Sequence, residues 1–265
     1  MRIAQIGRVL FGIGLAGFAL LSFVYGNLVP ILAPFPWSEK WTYGLGVILM
    51  AASAGLFFAR TVLYSTIIVC VGALTWAVAA AGPILRSPLS VGSWYNSSEA
   101  VTTFVGVWVL YAMLRRRDGT GVVTPMTSDG ALRVGRVLFG AACVVYGIAH
   151  FAYASYTEAF VPTWLPARMA SVYLTGAFHT AAGVALIIGV LPRLAAWLEA
   201  LMMSLFGILI WLPSFFAQPV PKWAGSPQNQ WSETFMNFLL AGAAWIIAAS
   251  LRSAPWGFVQ RRPGK

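Results

Sequence analysis

Residues 137–157, VLFGAACVVYGIAHFAYASYT, and 170–190, ASVYLTGAFHTAAGVALIIGV, decide the fold. Neither stretch contains an Asp, Glu, Lys or Arg. Each is close to the roughly 20 residues that an α-helix needs to cross a hydrocarbon core about 30 Å thick. A membrane β-strand would alternate apolar and polar residues over a shorter run, and these are apolar on every side. Lipid offers the backbone no outside partner, so each run must close its own hydrogen bonds as a helix.

Six further apolar blocks flank this pair: 9–26, 43–59, 61–82 and 99–114 before it, 195–216 and 232–251 after it. The spacing predicts an all-α integral membrane protein with eight transmembrane helices. Composition agrees, with 59% hydrophobic residues, 9% charged residues and a mean hydropathy of +0.78 over 265 residues. A water-soluble domain carries about 25% charged residues, so this chain could not cover a water-facing surface.

The net charge of +10 does not indicate a nucleic-acid partner, because the basic residues lie singly or in short runs between apolar blocks. They orient the helices instead. With the N-terminus in the cytoplasm, thirteen Lys and Arg fall on that side and only Lys40, Arg86, Arg168 and Lys222 on the other. Such a bias places both termini in the cytoplasm. Trp37, Trp41, Trp94, Trp164, Trp223 and Trp231 gather at the outer face, where amphipathic rings settle at headgroup level. Pro30, Pro34 and Pro36, with Pro162 and Pro166, predict shaped caps over that face. Cys70 and Cys143 both lie inside apolar blocks, which predicts buried thiols and no disulfide framework.

The chain repeats itself. Ile6-Gly-Arg-Val-Leu-Phe-Gly12 returns as Val134-Gly-Arg-Val-Leu-Phe-Gly140, and Ser98-Glu99 with Phe104 returns as Ser232-Glu233 with Phe238. Trp76 answers Trp211, and Pro30 with Pro34 answers Pro162 with Pro166. The unit is four helices, so the two copies run parallel. The expected organisation is a first four-helix bundle over 1–114, a cytoplasmic linker over 115–133, a second bundle over 134–252 and a basic tail over 253–265. The stretch Arg115-Arg116-Arg117 is expected to stop the fourth helix and touch anionic lipid heads.

Differences between the copies mark where the second became polar. Ser22 aligns with His150 and Leu49 with His179, so both histidines of the protein belong to the second unit. By the helical rise they sit at similar depth in the outer half of the membrane, where a polar side chain faces a bundle interior or a cavity. Phe139, Cys143, Tyr146, His150 and Tyr153 recur at three- and four-residue spacing and form one face of the fifth helix. His179 stands between Gly176 and Gly183, and small residues of this kind allow close helix approach. A tyrosine-rich face against a narrow one suits a planar slot for a quinone ring, lined by His150, His179, Tyr146 and Tyr153. The competing readings are ligation of a metal or haem by the two imidazoles, which ranks last, and a histidine contact that only fixes packing.

Three further polar residues need partners. Glu199 lies about a turn and a half into the seventh helix, and Arg136 is its expected partner by depth. Glu233, Asn237 and Ala241 form a polar-to-small face on the eighth helix. Glu99, the counterpart of Glu233, is expected to cap its helix from the first turn.

The motifs Gly135-Arg136-Val-Leu-Phe-Gly140, Gly147-Ile-Ala-His150-Phe151, Gly176-Ala-Phe-His179-Thr-Ala-Ala-Gly183 and Gly189-Val-Leu-Pro-Arg193 resemble the DoxX-like family of small bacterial and archaeal membrane proteins. The second unit carries the likeness over about 134–252, and the first reads as a degenerate copy. The resemblance implies a multi-pass protein of the plasma membrane with a redox-associated or quinone-side role. A soluble or membrane redox partner protein is expected with it. Where many members carry glutamate, this chain has His179. The alternative is a non-enzymatic helical scaffold or small-solute conduit. No nucleotide loop, serine triad or thiol pair is present.

Overall fold

The computed structural model describes residues 2–27, 38–117, 124–217 and 225–256, and all regular structure among them is helical. Eight long helices follow one another: α1 (Arg2–Tyr25), α2 (Ser38–Phe57), α3 (Val62–Arg86), α4 (Val91–Arg117), α5 (Asp129–Ala152), α6 (Arg168–Ile188), α7 (from Pro192 to Ser214) and α8 (Pro227–Ser250). Seven of them are long and apolar enough to cross a membrane. The exception is α2, whose first five residues, Ser38 to Thr42, include Glu39 and Lys40 and shorten its apolar run. Pro30, Pro34, Pro36, Trp37, Lys222, Trp223, the middle of the expected linker and most of the basic tail lie outside the described residues.

Local sequence sets the ends of the helices. Ser128 caps α5 by accepting from the Ala131 N–H at 3.1 Å, and Asp129 in the first turn bridges to Arg116 on α4 at 2.7 Å. Gly189, at φ +77°, terminates α6 with its N–H on the Ala185 carbonyl. Pro192 then opens α7 from its first position, where a missing N–H costs nothing. Ser226 caps α8 by accepting from Asn229 N–H at 3.1 Å, with Pro227 behind it. α4 begins at Val91, eight residues before the apolar block that announced it, so Glu99 lies two turns inside the helix. The expectation that Glu99 caps a helix from its first turn is therefore wrong.

Burial separates two central helices from six peripheral ones. In α8 and α4 about 78% and 67% of the spanning window is buried, against 22% in α3 and 28% in α6. The peripheral helices turn apolar side chains such as Val71, Val78, Phe178 and Leu198 outward, as lipid requires. α8 packs on α1, α7 and α4, while α4 packs on α3, α5 and α8. Contacts thus run between the two halves of the chain as well as within them.

Glycines set the two closest crossings. A Cβ on Gly183 would lie 2.5 Å from the Gly140 carbonyl oxygen, and one on Gly147 would lie 2.6 Å from that of Gly176. These four glycines bring the backbones of α5 and α6 into contact. Gly7 and Gly242 do the same for α1 and α8, where either Cβ would fall 2.8 Å from the other residue's oxygen. Close backbone approach of this kind is how helices associate where lipid removes the hydrophobic drive.

Candidate functional site

The α5–α6 crossing holds the two histidines against one another. Their ring centroids are 5.1 Å apart with the planes inclined at 46°. Four residues above Tyr146, His150 donates from Nδ1 to the Tyr146 carbonyl oxygen at 2.8 Å, which fixes the ring along its own helix. Phe206 on α7 covers both imidazoles, at 6.2 Å from His150 and 5.9 Å from His179. The Tyr146 ring meets His179 edge-on at 5.9 Å, and its hydroxyl hydrogen-bonds Thr102 on α4 at 2.9 Å.

Glu199 is the partner of His179. The imidazole Nδ1 lies 2.5 Å from Glu199 Oε1, and both side chains are buried, at 3% and 0% exposure. The expected Arg136–Glu199 pair does not form. Arg136 instead lies over Gly189 at the end of α6, where a Cβ would fall 3.0 Å from its Nη1. Equal distance from one membrane face does not put two side chains on facing surfaces, and the α6–α7 turn brings Glu199 round to His179. Glu199 Oε2 is buried without a hydrogen-bond partner, and the fully buried Cys143 lies beside this carboxylate. Each histidine commits Nδ1 to a protein acceptor, so Nε2 is the atom each can offer a ligand.

These groups line a cavity of about 840 Å³ whose walls are mostly apolar. That volume falls within the range of small-molecule and cofactor sites. Phe178 on α6 and Leu198, Leu201 and Leu205 on α7 line it while remaining exposed on the lipid-facing surface. The cavity therefore meets the bilayer through the gap between α6 and α7. Helix α7 is irregular at the same level. Gly207–Trp211 forms a π turn, with the Leu212 N–H on the Gly207 carbonyl, just before Pro213, which has no N–H to continue the regular ladder. Asn237 on α8 steadies it by donating to the Met203 carbonyl at 3.2 Å.

The structure also adds residues from the first unit that sequence reasoning left out of the site. Tyr95 and Glu99 on α4 line the cavity within electrostatic reach of one another. The rings of Tyr95 and Tyr146 meet edge-on at 5.5 Å. Glu233, on α8, lines the cavity opposite and lies within electrostatic reach of Glu99. The signal was in the sequence, since Glu99 and Glu233 are repeat counterparts on the two central helices. Tyr153 follows the end of α5, where its hydroxyl accepts from Gly92 N–H at 3.1 Å and ties the cavity rim to α4.

No curated protein and no solved structure matches the chain. The DoxX family model matches residues 131–212, the stretch that supplies both histidines, Tyr146, Phe206 and Glu199. Over that stretch, which runs from α5 through the π turn of α7, the chain is similar to the DoxX family.

Proposed function

We propose that the protein is a quinone-interacting membrane subunit, with the ring of a lipophilic quinone seated against His150 and His179. The observation that carries this reading is the cavity itself. A packing contact between two histidines leaves no room beside them, whereas here about 840 Å³ adjoins both rings. Its lateral gap between α6 and α7 suits a ligand that arrives from the bilayer. Tyr146 and Phe206 give a planar ring aromatic faces, and Nε2 of each imidazole, whose Nδ1 already donates, can accept from a quinol hydroxyl. Glu199 holds His179 through Nδ1 and so orients its ring, leaving Nε2 for the ligand.

The same reading places the protein in the plasma membrane as a multi-pass protein with eight spans and both termini cytoplasmic. The basic residues support that orientation. Arg116 and Arg193 lie together at one end of the helices, where α4 ends and α7 begins. A soluble or membrane redox partner would supply or remove electrons.

Binding of a short-chain ubiquinone or menaquinone analogue to the purified protein tests the proposal. His150→Ala and His179→Ala should weaken binding by similar factors, each about tenfold for a lost polar contact. Unchanged analogue binding in both variants would leave a helical scaffold as the better reading.

A further inference from the structure

Beyond the histidine pair, the α4 and α8 walls of the cavity have a different chemistry. Glu99 is 4% exposed on α4, Glu233 stands partly buried on α8, and the two interact electrostatically. With Glu199 they make three carboxylates lining one cavity, and among the described residues neither lysine nor arginine lines it. His179 balances Glu199 through Oε1, and Glu199 Oε2 remains buried and unpartnered. Among the described residues, no lysine or arginine balances the Glu99–Glu233 pair within the cavity. A carboxylate held in hydrocarbon without a counter-charge is costly, so a cationic guest in the cavity would be favoured by the pair.

Aromatic rings border the same walls. Glu99 and Tyr156 both lie within electrostatic reach of Tyr95. Phe160 meets the Tyr156 ring edge-on at 5.0 Å, and Trp211 lies 5.9 Å from Phe160. All four line the cavity. Carboxylates backed by several aromatic faces are the recognition chemistry of an organic ammonium or phosphonium group, whose diffuse charge is attracted by ring faces and which sheds water easily. A small inorganic cation would gain little from such rings.

The geometry points to a second subsite: the Glu99–Glu233 part of the cavity binds the cationic head of a hydrophobic organic cation whose apolar body fills the rest of the chamber. This subsite uses α4 and α8, the histidine subsite uses α5 and α6, and the lateral gap between α6 and α7 admits either ligand. The inference rests on the cavity and does not require the quinone reading.

Tetraphenylphosphonium tests it, with neutral triphenylphosphine oxide as the uncharged counterpart, each titrated into the purified protein in detergent. The wild type should bind the phosphonium at least about tenfold more tightly than the oxide, as expected of a desolvated charge contact. Glu99→Gln and Glu233→Gln should each remove most of that preference, and Glu233→Asp should keep part of it. His150→Ala should keep the preference for the phosphonium over the oxide while weakening the quinone analogue, so the two subsites fail separately. Equal affinity of the wild type for both probes would overturn the proposal without recourse to any variant. Retention of the full preference in both glutamine variants would overturn it as well.

Discussion

Removing one member of the His179–Glu199 pair should cost far more than removing both. The two side chains are 3% and 0% exposed and share a 2.5 Å contact, so neither can turn to water when its partner is lost. His179→Leu leaves a buried carboxylate with one oxygen already unpartnered, and breaking a buried pair in this way costs about 3–5 kcal/mol. Glu199→Leu leaves an imidazole that can stay neutral, so its cost is that of an unsatisfied polar group, about 1–3 kcal/mol. The double variant buries two apolar side chains where a hydrogen-bonded polar pair stood, a replacement that is often near neutral. A double-mutant cycle should therefore return a coupling of at least about 2 kcal/mol. Equilibrium unfolding in mixed micelles, followed by tryptophan fluorescence, reads all four states. Losses that add to within about 0.5 kcal/mol would refute the pairing. The cycle of Arg136→Leu with Glu199→Leu should be additive, since those two groups do not meet.

The remaining predictions concern packing and topology. Gly183→Ala should destabilise by about 1–3 kcal/mol because its Cβ would meet the Gly140 carbonyl, whereas Gly72→Ala on α3, with open space around it, should be neutral or mildly stabilising in the same unfolding assay. Ser226→Ala should cost about 1 kcal/mol through loss of the bond that caps α8. On a background lacking Cys70 and Cys143, a cysteine at Thr124 should react with an impermeant maleimide only from the cytoplasmic side, and one at Thr163 only from outside. The reverse pattern would invert the topology.

The helical architecture was legible because lipid leaves a long apolar block only one way to satisfy its backbone. Helix starts were less so. α4 begins with Val-Gly-Ser-Trp-Tyr-Asn-Ser-Ser, whose polar residues resemble a loop, yet Ser97 spends its hydroxyl on the Ala80 carbonyl at 2.6 Å and Ser98 is buried. The meeting of His150 and His179 could be anticipated from depth and from the glycines beside them. The role of Glu199 was misassigned because depth was counted from the membrane face towards Arg136. Counting from the tight α6–α7 turn puts His179 nine residues before Ile188 and Glu199 seven after Pro192, both about 10–14 Å from that turn. That arithmetic names the true pair. The contribution of Tyr95 and Glu99 was hidden for another reason: the first unit was read as a separate bundle, while α4 and α8 are the shared centre of the molecule.

Photolabelling in native-lipid nanodiscs tests the central claim most directly, with an azidoquinone as the probe and peptide mapping as the readout. The account predicts labels on the cavity walls near Tyr146, His150 and Phe206, suppressed by excess unlabelled quinone and lost in His179→Ala. Labels confined to outward-facing positions such as Val71 and Val78, unaffected by competitor, would contradict it.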